Sequence, residues 1–193
     1  MRAFRQRLAS VGTERTTRFG AAALIVAGMV VALAIVTDGA VSRGINGIGA
    51  LVWMASLAAL LLGVRDETRW RTNLGLAALV TLVLSFGVEP TNIATAVPGF
   101  AIGGAAIALV ARRPVVWALL VPALWLPIHL LTAVVPAIIG AASGGQASVR
   151  TDPPPTAAVV PLLMIVSAGA AGWLVGTIRE RQGSRRGVSS RSV

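Results

Sequence analysis

"WALLVPALWLPIHLLTAVVPAIIG", residues 117–140, decides the fold class. Its one ionisable side chain is His129, the sole histidine of the chain, and it carries three prolines, Pro122, Pro127 and Pro136. A segment this long and apolar reads as a bilayer crossing, because a spanning helix needs roughly 20 apolar residues. It begins at Pro114, a residue suited to a first helical turn, and stays apolar to about Ala142. At 1.5 Å per residue such a helix is roughly 43 Å long, more than the ~30 Å hydrocarbon core requires. It must therefore tilt, kink at its prolines, or divide into a helix and a short interfacial piece.

The rest of the chain has the same character. Only 12% of the 193 residues are charged, too few to cover a soluble domain, and the mean hydropathy is +0.80. Five further apolar runs, about 20–37, 46–64, 74–88, 92–111 and 157–178, bring the expected spans to six, counting 114–142. Pro98 falls inside the fourth, which predicts a kinked or partly unwound entrance. The expectation is an all-α integral membrane protein, a six-helix bundle over 20–178. A basic segment at 1–19 and a basic, Ser/Gly-rich, disordered tail at 179–193 flank it. Phe4, Leu8 and Val11 recur at helical spacing, so residues 1–19 read either as a short amphipathic surface helix or as a loose tail. Ala, Leu, Val and Gly dominate the apolar mass, and small residues let helices approach closely.

Arginine sets the expected orientation. The net charge of +10 arises without a single lysine, a bias that hints at a GC-rich bacterial genome. With six spans, fifteen of the seventeen arginines fall on one side, in 1–19, 65–73, Arg112–Arg113 and the tail. Only Arg43 and Arg150 fall on the other. The positive-inside rule then places both termini in the cytoplasm of a bacterial cell, with the inner membrane as the site. It also accounts for the basic balance without a nucleic-acid partner.

Candidate chemistry gathers on the opposite side. Asp38, Arg43 and Asn46 fall in the first outer loop, Glu89 and Asn92 flank Pro90 in the second, and Gln146, Arg150 and Asp152 lie in the third. His129 sits about fifteen residues into its helix, roughly 22 Å from the starting face. A pocket in the outer half of the membrane, formed by His129, Glu89, Asn92 and the Pro98–Gly99 break, is one reading. Intramembrane ionisable groups and unwound backbone both mark ligand sites. The other is structural: His129 bonds a carbonyl freed by Pro127 or Pro136 and ties helices together.

Close packing is expected at Gly99 and Gly103, a Gly-x-x-x-Gly pair, and along Ala168, Gly172 and Gly176 in the last span. Within the bundle these serve packing; at its surface they would serve a homo-oligomer. Cysteine is absent, so thiol catalysis and disulfides are excluded. One histidine and scattered carboxylates do not make a metal shell, and no nucleotide-binding or nucleophile-elbow motif occurs. Neither metal, cofactor nor catalytic residue is expected, and the chain reads as a non-enzyme.

Two families resemble parts of the chain. "DETRWR", with Asp66, Glu67 and Arg71, resembles the Glu-Glu-x-x-x-Arg box of CAAX-protease-like bacterial membrane proteins, and "WLPIH" resembles their Phe-x-x-x-His. The second downstream histidine of that family is missing, and the acids fall in a loop on the side opposite His129. In size and topology the chain is similar to the substrate-binding subunits of energy-coupling-factor vitamin transporters. Ala23 and Ala27 form an Ala-x-x-x-Ala like their docking motif. That likeness implies an outer ligand pocket and a membrane partner. Two functions follow: a membrane scaffold or regulator whose arginine-rich ends meet lipid or a cytoplasmic protein, and, as the alternative, a small-molecule carrier or transporter subunit.

Overall fold

The computed structural model describes residues 2–37, 39–88, 92–142 and 155–189. Six helices order the chain: α1 (Arg2–Val36), α2 (Gly39–Val64), α3 (Trp70–Gly87), α4 (Ile93–Val110), α5 (Pro114–Ala142) and α6 (Val160–Ser189). A 3-10 turn over Pro155–Val159 leads into α6. No strand occurs among the described residues. Each helix contains a stretch long and apolar enough to cross a bilayer, so the chain has the make-up of a multi-pass membrane protein.

Several helices extend beyond the bounds expected from sequence. Arg43 and Asn46 do not lie in a loop, because α2 begins at Gly39. Ser42 Oγ donates to the Ala34 carbonyl near the end of α1 at 2.7 Å, and Thr37 Oγ1 to the same oxygen at 3.3 Å. Neither the basic N-terminal segment nor the tail stands apart: α1 is helical from Arg2, and α6 continues past residue 178 to Ser189. Extending a helix that already exists costs far less than starting one. By contrast α4 is helical through Pro98, and α5 is one helix from Pro114 to Ala142, the full expected run.

The bundle is apolar on both sides of its wall. Its outside carries Leu51, Phe86, Ile102 and Trp173, each more than half exposed, a surface suited to lipid. Its inside holds many small residues, including Ala27, Ala77, Ala96, Ala118, Ala123 and Ala168. The helix at the centre is α5, which packs against each of the other five. Its first half supplies Trp117, Leu120 and Val121, all fully buried.

Two glycines let α6 lie close to the backbones of its neighbours. A Cβ on Gly172 of α6 would lie 2.6 Å from Ala118 Cβ and 2.9 Å from the Pro114 carbonyl oxygen of α5. One on Gly104 of α4 would meet Ala168 Cα of α6 at 3.0 Å. The other candidate packing residues also face neighbours. Gly99 and Gly103 lie against α3 side chains, Gly176 against Pro114, and Ala27 is fully buried while Ala23 is half-buried.

The buried hydroxyls are bonded to backbone, as an apolar setting requires. Ser56 donates to the Trp53 carbonyl, and Thr81 Oγ1 lies 2.7 Å from the Ala77 carbonyl and 3.2 Å from that of Val121. Pro127 has no N–H to give the carbonyl four residues earlier, that of Ala123. The Trp53 indole N–H, from α2, donates to this oxygen at 2.9 Å.

Arginines close two helix ends. Arg113 Nη1 donates to the Gly63 carbonyl at 2.6 Å, in the last turn of α2. Arg179 of α6 donates to the Ala108, Leu109 and Ala111 carbonyls at the end of α4. Cations are favoured at helix C-termini, where carbonyls lack intrahelical donors. Arg179→Met should lower stability by about 1–2 kcal/mol, and the exposed Arg181→Met should leave it unchanged. Thermal denaturation of both variants in detergent checks this, and equal melting curves would refute the capping role.

Candidate functional site

The most developed polar site lies where α2 ends and α3 and α5 begin. Residues 65–69 make two successive turns: Glu67 N donates to the Val64 carbonyl and Trp70 N to that of Glu67, each at 3.0 Å. These turns fold the loop inward and leave Glu67 only 7% exposed. Trp117, in the first turns of α5, donates its indole N–H to Glu67 Oε2 at 2.9 Å. Glu67 Oε1 is buried with no hydrogen-bond partner among the described residues.

A cavity of about 330 Å³ adjoins this carboxylate, lined by Glu67, Thr68, Arg69, Asn73, Val110 and Arg112. Asn73, also buried, comes from the first turn of α3. No side chain caps that helix, whose N-cap is Arg69 itself, so its positive end stays open at the cavity. Carboxylate, guanidinium groups and helix terminus together make a polarised recess, with an acceptor inside and anion-attracting groups about it. A second, shallower cavity of about 270 Å³ lies between the start of α5 and the end of α6, beside Arg113, Trp173 and Glu180.

The residues singled out from sequence are placed differently. Glu89 and Asp38 lie outside the described residues, as do Gln146, Arg150 and Asp152. Asn92 acts as the N-cap of α4, its side-chain oxygen accepting from Ala94 N at 3.0 Å. Pro98 is exposed on α4, and Gly99 packs against Val88 and Leu84. His129 is half-buried and stacks on Trp125 of the preceding turn, ring centroids 4.6 Å apart and planes 17° from parallel. The carbonyl released by Pro127 accepts from the Trp53 indole N–H. Neither cavity described above is lined by His129, Asn92, Pro98 or Gly99. Among the described residues no group of histidines and carboxylates is arranged to hold a metal ion.

Sequence reasoning left Glu67 as a loop acid and gave Trp117 no role. A signal was present: a tryptophan early in an apolar span must find an acceptor for its N–H, and "DETRW" offers two acids near the same end. Compared with known proteins, the chain matches no family model, and no curated protein or solved structure is significantly similar to it. The resemblances to CAAX-protease-like proteins and to vitamin-transporter subunits thus rest on the residues quoted for them alone.

Proposed function

We propose that this chain is a non-enzymatic scaffold or regulatory protein of the bacterial inner membrane, with both termini in the cytoplasm and helices α4 and α5 bent at their prolines. The observation that carries the reading is the segregation of arginine, fifteen residues against two, onto the end where α1 starts and α6 finishes. Some of that charge is structural, as Arg113 and Arg179 show, and in this reading the arginines of the tail meet anionic headgroups or an acidic protein face. Each basic residue near an anionic surface contributes about 1 kcal/mol to its attraction. The alternative carrier, with an outer-half pocket at His129, Glu89, Asn92, Pro98 and Gly99, draws less support. Asn92 is engaged as a cap, and α4 has no unwound turn at Pro98.

Alkaline phosphatase inserted in the 65–69 loop should be inactive, and active when inserted at 143–154; the reverse pattern would overturn the orientation. Arg181, Arg185, Arg186 and Arg191 all changed to Gln should then deplete the proteins and anionic lipids that co-purify with the chain, whereas His129→Leu should not. Depletion by His129→Leu alone would favour the carrier.

A further inference from the structure

We propose that the cavity beside Glu67 binds an ammonium-bearing phosphate, the chemistry of a phosphoethanolamine headgroup, with the ammonium on Glu67 and the phosphate at Arg69 and Arg112. This stands apart from the scaffold reading; only the leaflet that would supply a lipid depends on the orientation proposed above.

Glu67 sets one end of the ligand. Its Oε2 accepts from Trp117, while Oε1 is buried with no donor among the described residues. Leaving a buried acceptor unmet carries a free-energy cost that a ligand N–H removes, and a charged donor removes it best. The cavity wall sets the other end. Arg69 and Arg112 are both exposed, and the uncapped start of α3 adds its positive dipole. These groups attract an anion, and phosphate is well matched to guanidinium.

A simple cation would meet two arginines, and a simple anion would leave Oε1 unmet beside a like charge. A dipolar ligand satisfies both ends. At about 330 Å³ the cavity lies near the small end of ligand pockets, headgroup-sized rather than cofactor-sized. Its wall also opens toward lipid. Val110 lines it while remaining 57% exposed, and Leu109 beside it is 58% exposed, an apolar path for acyl chains leaving the headgroup.

The test uses the full chain in detergent micelles, where sidedness plays no part, with phosphatidylethanolamine, phosphatidylcholine and phosphatidylglycerol added in equal amounts. Native mass spectrometry reads the lipids retained. Phosphatidylcholine keeps the positive charge but has no N–H for Oε1, and phosphatidylglycerol has no ammonium. The ethanolamine lipid should be retained roughly tenfold over both, in line with one charge-assisted hydrogen bond. Glu67→Gln should abolish that preference, and Arg69→Gln with Arg112→Gln should weaken binding of all three lipids. Displacement by free phosphoethanolamine would identify the headgroup chemistry as sufficient; a preference that persists without displacement would identify the lipid as the occupant. Equal retention of the three lipids by the unaltered chain overturns the proposal, as does a preference that survives Glu67→Gln. Should Glu67→Gln fail to fold, the arginine pair decides, since both side chains are exposed: undiminished ethanolamine-lipid binding in that variant rejects the site.

Discussion

Gly172→Ala should lower the stability of the bundle by about 1–3 kcal/mol, and Gly172→Leu should yield no folded protein. The reason is the α5–α6 crossing. The added Cβ would lie 2.6 Å from Ala118 Cβ, 2.9 Å from the Pro114 carbonyl oxygen and 3.0 Å from Val115 Cα, so two of the three obstacles are backbone atoms. Backbone cannot rotate aside as a flexible side chain does, and α5 is held by every other helix, so α6 must move outward. That movement separates Arg179 from the end of α4 as well. Gly75→Ala is the control, since nothing lies within 4 Å of its position and alanine favours the helix. Melting curves of the three variants in one detergent test this. An unchanged melting temperature for Gly172→Ala would show that the helices do not approach so closely there.

The second large effect concerns Trp53. Trp53→Phe keeps most of the buried ring but removes the N–H that serves the Ala123 carbonyl, leaving an acceptor without a donor in an apolar interior. The expected loss is about 1–3 kcal/mol. Pro127→Ala restores the main-chain N–H that proline denies to the same oxygen, so it should recover much of the loss when combined with Trp53→Phe. A double-mutant cycle measures this coupling. Strict additivity of the two changes would mean that Trp53 does not serve the carbonyl freed by Pro127.

The six helices were legible because a bilayer crossing is written locally, in runs of apolar residues such as those after Gly20 and Pro114. Close packing at Gly172 was legible for a similar reason, since small residues spaced one turn apart lie on a single helix face. Glu67 was not, because its burial depends on two tight turns and on a tryptophan 50 positions away. The partner of the Ala123 carbonyl was hidden likewise: Pro127 announces a freed oxygen, but its donor comes from another helix, 70 residues distant. Pro98 falls early in α4, where proline costs less than in the middle of a helix: the carbonyl it leaves open belongs to Ala94, near the first residue of α4.

The clasp between Arg179 and α4 ties together the ends of two helices that also pack along their length. Arg179 is rooted in α6, and the three carbonyls it holds, on Ala108, Leu109 and Ala111, lie beside the Val110 and Arg112 that wall the cavity. One guanidinium thus closes the end of α4 and steadies a wall of the Glu67 recess, so a change at Arg179 should register at that cavity as well as in stability.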